Sequence, residues 1–536
     1  FACPLPDYAF MNCIAIAQVT IPGDIGTLGR TVFSGNKALT TVTFGLTANG
    51  DVSHLKEIGA DVFNNCSKLN LLRLEKTVKD AEGNPTYEND KLPALTALGE
   101  SGAYISGPFT KCVALTKIVI PDEVTKIGKT AFEGCTKLTS VTLPKNLTLI
   151  RESAFMGCTL LASVKFSDET PDASVTLEES AFKSCKALTS FDFTKVGAFA
   201  GDEIFRSCVK LTSVNIHEGI AAGESNYLFD GCTKLKTVVF NPASGSVGDY
   251  AFQKCSALTS VTIGENVSAI GSDAFKGLAL LTTVDMRSNV LTVIDYNAFS
   301  GCKKLKSIAL PATLTEIKGK AFYNTIALES VDFSTVTNPA GLSVGYDAFA
   351  SSGIKSVNFG SIPTKVGYGA FNACTRLTRV TIPANVIFTT SSREEPGERM
   401  FKGCTALTEV KYDSEAAVPK NMFYGCTNLA TVTLNDKVTE IGEGAFQNCA
   451  ALANFALPVG VNEIKKNTFN GCAKLGAITL DGITSLGEGA FKGCAALKSV
   501  TLPATLTDIG ANAFDGCLTL ASITINGQIE NLGLDA

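Results

Sequence analysis

The sequence predicts an α/β solenoid, in which short repeated layers stack on one another, and three observations support this fold class. A Phe, usually preceded by Ala, recurs 21 times along the 536 residues, most often at intervals of 23. Cys follows that Phe by three positions in 17 of the 21 units. Each unit also holds two short apolar segments separated by turn residues. Because a layer of this length cannot bury its own apolar side chains, the layers must stack.

The unit from Ile127 to Leu149 shows the elements in order. Residues 138–144, Leu-Thr-Ser-Val-Thr-Leu-Pro, alternate apolar and small polar side chains, which predicts a short strand that the proline ends. Ile127-Gly128 forms the second short apolar segment of the unit. Residues 131–135, Ala-Phe-Glu-Gly-Cys, predict a short helical turn or tight corner closed by glycine.

The repeated unit L-x-x-V-x-L-P-x-x-L-x-x-I-G-x-x-A-F-x-G-C resembles the BspA-type leucine-rich repeat of the 23-residue class, over nearly the whole chain. The resemblance implies a curved right-handed rod, with a parallel β-sheet on the concave face and short strands or helical turns on the convex face. Members of this family are mostly surface or secreted proteins of bacteria and protozoan parasites, associated with adhesion to host matrix or other cells. The resemblance therefore implies protein partners and an extracellular or cell-surface location.

The repeat extends across residues 1–536, which predicts a single solenoid of about 21 units. Four stretches exceed the 23-residue period, and we expect all of them to follow the strand and to precede the next convex segment, so that they project from one edge. The two short ones fit neutral loop drift, and the two long ones are candidate interaction surfaces. The insertions are 76–106, 167–174, 334–341 and 388–399.

Composition excludes several function classes. With 46 Lys and Arg against 51 Asp and Glu, the formal charge of −5 gives no reason to expect nucleic acid or an anionic membrane as partner. Only two His occur, which leaves no His-rich metal site. No apolar run is long enough to span a bilayer, and we expect any secretion signal to lie outside these residues.

The repeated cysteines are the most conspicuous candidates for chemistry. No Cys-x-x-Cys pair is present, so no metal site is expected, and stacked thiols with parallel side chains do not suit disulfide torsions. We expect a structural column of buried thiols, each able to donate to a carbonyl of a neighbouring turn. Asn36, Thr325 and Ser352 replace Cys in three units and can also donate. The predicted column contains Cys66, Cys112, Cys135, Cys158, Cys185, Cys208, Cys232, Cys255, Cys302, Cys374, Cys404, Cys426, Cys449, Cys472, Cys494 and Cys517.

The outward strand positions are the remaining candidate surface. They are mostly Ser and Thr, which suit a half-exposed sheet by β-propensity, and they lack aromatic anchors. Charged residues interrupt the pattern, and we expect these to contact a protein partner. The cluster of Arg379, Glu409 and Lys411, beside the 388–399 insertion, is the first to test. The interruptions are Arg73, Lys117, Lys165, Asp192, Asp285, Asp332, Arg379, Glu409 and Lys411.

Three functions are weighed on these features. No catalytic motif or cofactor motif is present, so an enzyme is disfavoured and no cofactor is expected. A cell-surface or secreted solenoid that binds proteins ranks first, and a structural spacer is the alternative. The sequence stops one residue before the next Phe of the repeat, and this predicts either a piece of a longer chain or layers that stack head to tail on other copies.

Overall fold

A computed structural model of the chain describes residues 3–99, 106–389 and 395–536. Its internal contacts form two compact units, Phe1–Ala274 and Phe275–Ala536, here called unit 1 and unit 2. In both units the chain is a parallel β-solenoid, as predicted. Each layer consists of a back strand, a corner that carries the repeated Phe, and a front strand.

One layer of unit 1 shows why the sequence folds this way. The back strand Lys126–Ile127 buries Ile127, and the front strand Ser140–Thr142 buries Val141 between two outward hydroxyl side chains. The next layer repeats both strands 23 residues later, so Ser140 pairs with Ser163 and Ile127 with Ile150, in parallel. Like residues therefore stack on like, and the apolar positions of successive layers form one core.

The strands of unit 1 follow this alternation throughout. Its back strands are Cys3–Leu5, Ile25–Leu28, Glu57–Ile58, Ala97–Leu98, Lys126–Ile127, Leu149–Ile150, Val175–Glu178, Val196–Ala200, Ala221–Gly223, Ser244–Val247 and Val267–Ile270. Its front strands are Gln18–Ile21, Thr41–Phe44, Leu71–Lys79, Lys117–Val119, Ser140–Thr142, Ser163–Lys165, Ser213–Ile216, Thr237–Phe240 and Ser260–Ile263, with Pro85–Asn89 added by an insertion.

Unit 2 has the same arrangement. Its back strands are Val293–Ile294, Glu316–Ile317, Leu342–Val344, Thr364–Val366, Val386–Phe388, Glu463–Ile464, Ser485–Leu486, Asp508–Ile509 and Asn531–Leu532. Its front strands are Thr283–Met286, Ser330–Asp332, Ser356–Asn358, Arg379–Ile382, Glu409–Tyr412, Thr431–Leu434, Asn454–Phe455, Ala477–Ile478, Ser499–Leu502 and Ser522–Ile525.

The α/β label and the expected helical turns need correction. The only helix among the described residues is the 3₁₀ turn Phe193–Lys195, and the corners are tight turns. In the corner of Phe132, Thr130 (φ 50°) and Gly134 (φ 70°) are both left-handed, which stops a helix from propagating. The backbone N–H groups of Phe132 and Gly134 donate instead to carbonyls of the next layer, at 2.7 and 2.8 Å.

The position of the longest sheet also differs from expectation. In unit 1 the back strands pair in one uninterrupted parallel sheet, whereas the front strands form shorter groups. One front break lies in the layer of Phe182, where residues 190–192 form no strand and are followed by the 3₁₀ turn Phe193–Lys195. The continuous backbone ladder therefore lies on the back of the layers.

The repeated Phe side chains form the centre of each unit. Consecutive rings stack nearly parallel, with centroids 5.2–5.7 Å apart from Phe10 to Phe252 in unit 1. From Phe275 to Phe514 in unit 2 the spacing is 5.0–5.8 Å. Most of these rings are fully buried, so each corner contributes a large apolar contact to its neighbours.

The long insertion at 76–106 adds no layer, because Phe63 stacks directly on Phe109. Its first part extends the front strand Leu71–Lys79 into a hairpin with the antiparallel strand Pro85–Asn89. The hairpin turn is held by the Asp80 carboxylate, which accepts from the backbone of Glu82 and Asn84. A second part follows the back strand Ala97–Leu98, and its residues 100–105 lie outside the described residues.

We predicted that every insertion lies between a front strand and the next back strand. This prediction is wrong for 388–399. Residues 167–174 and 334–341 do connect a front strand to a back strand. The 388–399 insertion instead follows the back strand Val386–Phe388 and precedes the corner of Phe401, and its residues 390–394 lie outside the described residues. The 46-residue interval likewise gains residues at two phases, so the repeat accepts extra chain on both sides of the back strand.

Candidate functional site

Several of the predicted partner-binding charges are engaged in local ion pairs on the front strands. Arg379 and Glu409 pair across neighbouring strands at 3.3 Å, with side chains 77% and 49% exposed. Lys411 pairs with Asp413 at 2.8 Å, and Asp285 with Arg287 at 2.7 Å. Exposed pairs of this kind contribute about 0–1 kcal/mol, so they remain open to a partner at little cost.

Two further predicted residues hold turns. Asp192 accepts from the backbone and hydroxyl of Thr194 at 3.0 and 2.6 Å, and so caps the 3₁₀ turn. Asp332 makes the same pair of contacts with Ser334 at 2.9 and 2.6 Å. The local geometry gives both carboxylates a structural role in the turn that follows the front strand.

The remaining three lie in unit 1 near the hairpin insertion. The Arg73 guanidinium lies over the Tyr87 ring, 4.7 Å from its centroid, and donates to the Thr43 hydroxyl at 3.2 Å. Lys117 is an exposed residue of the next front strand. Lys165 is also exposed, and its strand ends at a groove described next.

A groove of about 830 Å³ lies in unit 1 where the front strands end. We call it the edge groove. Val52 and Ser53, in the long connection between Thr41–Phe44 and Glu57–Ile58, line one end, and residues 165–168, which open the 167–174 insertion, line the other. The segment after the hairpin, residues 91–94, lies between them, together with residues 119–123 and 142–143. Long connections from a front strand to a back strand, the hairpin insertion among them, therefore surround the same depression.

The edge groove combines apolar and charged groups. Lys91 and Lys165 contribute positive charge, and Lys91 pairs with Glu88 of the hairpin at 2.6 Å. Asp122, Glu123 and Asp168 contribute negative charge. The apolar lining includes Leu74, Leu92, Ile120, Leu143 and Phe166, with Phe166 and Leu74 half-buried. A concave apolar surface with a few charges at its rim is the usual form of a binding site.

The sequence did not identify the edge groove. Of the nine charged residues predicted to bind a partner, Lys165 lies in the groove. The apolar residues that line the groove occupy ordinary positions of the repeat. The available signal was the presence of several long connections at one phase, a few layers apart, around layers with short loops. Connections so placed form walls around the unmodified layers.

The thiol column lies directly beside the Phe stack. Each of the 16 predicted thiols donates to the carbonyl of the repeated Phe in the preceding layer, at 3.1–3.3 Å, as Cys135 does to Phe109. The cysteines from Cys13 to Cys517 are free thiols. Burial raises the pKa of Cys135 to about 12. A buried thiol with a raised pKa is a poor nucleophile and metal ligand, so the column is structural in its chemistry.

The residues that replace Cys behave differently from one another. Thr325 donates to the carbonyl of Phe322 in its own layer at 2.7 Å. The Ser352 hydroxyl lies 3.3 Å from the Cys374 sulfur. Asn36 is fully buried, and neither its amide oxygen nor its nitrogen has a hydrogen-bond partner. Donor capacity alone therefore does not reproduce the thiol contact.

Two other kinds of site are absent from residues 3–99, 106–389 and 395–536. Within those ranges no group of three or more His, Cys, Asp or Glu is arranged to hold a metal ion. No helix there has the length and hydropathy needed to cross a membrane.

The layers, the Phe and Cys columns and the front strands define a leucine-rich-repeat solenoid. The chain belongs to the family described as "BspA type Leucine rich repeat region (6 copies)", whose sequence pattern matches residues 4–93, 106–226, 224–341, 337–430 and 416–536. The family expected from the repeated unit is thus confirmed.

Solved structures of other repeat proteins are similar to the chain. A leucine-rich repeat protein from Bacteroides ovatus is 26% identical, with a TM-score of 0.47, over 81% of this chain and 94% of that one. A leucine rich cell surface protein from Faecalibacterium prausnitzii is 22% identical, with a TM-score of 0.26, over 85% and 93%. The pneumococcal vaccine antigen PcpA is 13% identical, with a TM-score of 0.28, over 90% and 87%. No curated protein matches the chain.

Proposed function

We propose that the chain is a non-enzymatic protein-binding solenoid of the cell surface or extracellular space, with a role in adhesion. The observation that carries the proposal is the edge groove, a concave surface of about 830 Å³ with an apolar floor surrounded by long connections from front strands to back strands. A partner loop that enters it buries Phe166, Leu74 and their neighbours, and a partner charge can meet Lys165 at the rim. Repeat proteins commonly bind through such extended concave surfaces.

The hairpin makes the groove more than a gap between layers. The Arg73 guanidinium stacks on the Tyr87 ring. The carboxylate oxygens of Glu88 form ion pairs with the ammonium groups of Lys91, at 2.6 Å, and Lys76, at 3.7 Å. These contacts hold the returning strand and the lining segment 91–94 in place before a partner arrives. A preformed surface loses less conformational entropy on binding, which favours affinity.

The test has two stages. The purified chain is first assayed by biolayer interferometry against purified host extracellular-matrix proteins and against solubilised proteins of its own cell envelope. Any partner found is then titrated with Lys165→Glu, Arg379→Glu and Ser140→Ala, each of which changes one front-strand side chain. We expect Lys165→Glu to weaken binding at least tenfold and Ser140→Ala to leave it unchanged.

The Arg379 variant separates the two candidate surfaces. If Arg379→Glu weakens binding and Lys165→Glu does not, the partner uses the Arg379, Glu409 and Lys411 cluster instead of the edge groove. If all three variants bind like the wild type, both site assignments are wrong. Turnover of a substrate in a broad hydrolase screen, lost on changing one surface residue, would contradict the non-enzymatic assignment.

A spacer is the second candidate, favoured by the use of hydroxyl groups between layers. Thr139 donates to the Thr116 carbonyl at 3.0 Å and Thr259 to that of Lys236 at 3.1 Å, so these side chains serve the stack. A spacer's function in cells depends on the number of layers. Deleting one 23-residue layer would impair it, while Lys165→Glu would not.

A further inference from the structure

The back sheet of unit 2 is interrupted twice among the described residues, after the strand Val386–Phe388 and again between Ile441 and the strand Glu463–Ile464. The strand Val386–Phe388 pairs with Thr364–Val366 on one side, but no strand pairs with its other side among the described residues. The next layer places residues 416–418 there, and this segment makes only an isolated bridge, from Val418 to Ile441 of the following layer. One edge of Val386–Phe388 is therefore unpaired.

A proline removes one of the hydrogen bonds that would close the first interruption. In regular layers, the residue after the buried Ile donates its N–H to the equivalent Ile carbonyl of the preceding layer, as Gly442 does to Val418 at 2.8 Å and Arg151 to Ile127 at 3.0 Å. Pro419 occupies this position opposite Phe388 and has no N–H. Among the described residues no group donates to the Phe388 carbonyl.

A second donor is also diverted. Residues equivalent to Ala416, such as Thr148 and Thr315, donate their N–H to the preceding layer at 2.8 and 2.9 Å. The N–H of Ala416 donates instead to the hydroxyl of Ser414, at 3.2 Å. Both regular bonds between these back segments are therefore missing, and their absence has a cause in the sequence.

The opening is confined to the back of the layers. The corners on either side remain in contact, with Phe401 and Phe423 stacked at 5.8 Å. The front strands of the same layers pair in register, for example Val410 with Val432. The layers are thus closed at the front and at the corner, and a groove of about 590 Å³ separates them at the back. We call it the back groove.

The back groove has an apolar floor and an acidic surround. Ile387, whose side chain is 45% exposed, lines it together with Phe388, Ala417 and Pro419. Glu440 and Glu443 pair with Lys465 and Lys420, at 2.5 and 3.1 Å. Glu395 and Glu415 add two further carboxylates, so acidic groups outnumber basic ones by four to two in the lining. Glu415 also forms an exposed ion pair with Lys437 at 2.6 Å, which a basic side chain of a partner would replace at little cost.

We propose that the back groove binds a short extended segment of a partner protein, which adds as a β-strand to the free edge of Val386–Phe388. The segment supplies the N–H groups that Pro419 and Ala416 do not, and its alternate side chains are apolar toward Ile387 and basic toward Glu395 and Glu415. Strand addition to an exposed edge gives affinity through the main chain and specificity through alternate side chains. This site is separate from the edge groove and does not depend on the function proposed there.

The test uses three fluorescein-labelled pentapeptides and fluorescence anisotropy. The first probe is Val-Lys-Val-Lys-Val with capped ends, the second carries Glu in place of both Lys, and the third is the first probe with N-methyl groups on alternate amides. We expect saturable binding of the first probe to the full chain, and at least tenfold weaker binding of the other two. N-methylation removes main-chain donors without changing the side chains, so it isolates the strand-addition component.

Two variants test whether the peptide binds in the back groove. Pro419→Gly restores the N–H, lets the adjacent segments pair, and should weaken the first probe at least tenfold, while Pro503→Gly serves as the matched control with unchanged binding. Ile387→Lys places a positive charge on the floor and should also abolish binding. Circular dichroism melting confirms that each variant is folded. The proposal is overturned if the wild type binds none of the probes, if N-methylation has no effect, or if Pro419→Gly binds like the wild type.

Discussion

The corner and the back sheet hold the layers together in different ways. At the corner, each step contributes a stacked Phe ring and, in most layers, a thiol donated to the preceding Phe carbonyl. At the back, a step depends on a few backbone hydrogen bonds and on close approach of two strands. The step at Pro419 keeps its corner contacts and lacks the back pairing. The comparison teaches that side-chain columns keep the stack continuous while the backbone ladder can open locally.

The back ladder is sensitive for a steric reason as well. At Gly128, a Cβ atom would lie 2.3 Å from the carbonyl oxygen of Gly99 in the preceding layer. The strands are this close because glycine has no side chain at the position. Pro419 occupies the equivalent place and has no N–H to donate. A side chain alone does not open the ladder, since Arg151 at the same position donates its N–H to the Ile127 carbonyl at 3.0 Å. The left-handed turns of the corner likewise accept non-glycine residues such as Lys254 (φ 61°) and Ser184 (φ 62°).

Alkaline pH should destabilise the corner column, and we expect this to be the largest of the predicted losses in folding stability. Burial raises the pKa of most thiols there, Cys374 excepted, and raises that of Cys135 to about 12 from an ordinary value near 9.0. The folded state therefore holds these protons more tightly than the unfolded state. The resulting stability is complete below about pH 9 and is lost as the pH rises from 9 toward 12, by up to about 1.4 kcal/mol per pH unit for each such thiol.

Thermal melts monitored by circular dichroism between pH 8 and 12 measure this effect. Lys and Tyr residues titrate in the same range, so Cys135→Thr provides the control, because Thr325 shows that the column accepts threonine. The variant should lose stability with pH less steeply than the wild type. Equal slopes for the two proteins would show that the thiols do not drive alkaline unfolding.

Gly128→Ala should break the back ladder in a regular layer. The added methyl group clashes with the backbone of Gly99, and we expect a loss of about 3 kcal/mol in the free energy of unfolding. Urea denaturation measures it. Gly476→Ala is the matched control, since the nearest atom to its Cβ is 3.8 Å away, and its stability should change by less than about 0.5 kcal/mol. Similar losses for both variants would contradict the close-approach argument.

Cys135→Ser tests one step of the corner column. The hydroxyl is smaller than the thiol and must find an acceptor inside the core, so we expect a loss of about 1–3 kcal/mol. The exposed Cys13 provides the control, and Cys13→Ser should be neutral. A parallel measurement with a thiol reagent should label Cys13 rapidly and Cys135 only after denaturation. Rapid labelling of Cys135 in the folded chain would contradict its burial.

Pro419→Gly should restore a backbone hydrogen bond between the back segments. Of the changes predicted here, we expect it to alter the free energy of unfolding least. The restored hydrogen bond contributes about 1 kcal/mol, and the loss of proline's constraint on the unfolded chain offsets about 0.4–1 kcal/mol of it. The difference appears in hydrogen exchange, where a peptide covering residues 416–421 should exchange more slowly in the variant. Unchanged or faster exchange would show that the proline does not keep the segments apart.

The sequence predicted what repeats and missed what happens between layers. The positions of Phe132 and Val141 followed from period and alternation, because burial at a fixed phase leaves a regular apolar pattern. The left-handed residues were not found, because Thr130 and Lys254 occupy them without the glycine that signals such a turn. The unbonded amide of Asn36 could not be foreseen, since its surroundings come from other layers.

The grooves were missed for a related reason. Pro419 is unremarkable in composition and becomes informative only once its place in the repeat, opposite Phe388, is known. The 388–399 insertion was assigned to the wrong phase because Val386-Ile-Phe388 lacks the Ile-Gly signature of a back strand. Both errors arise where a layer departs from the average unit, and such departures are where the chain offers distinct surfaces.

The direction of the thiol bonds has a consequence for how the molecule assembles. Every donor thiol finds its acceptor in the layer that precedes it along the chain, as Cys158 does at Phe132 and Cys472 at Phe446. During synthesis the acceptor carbonyl therefore emerges from the ribosome before the thiol that binds it. Each finished layer is a template for the next, and the solenoid can lengthen from its first residues onward without waiting for its last.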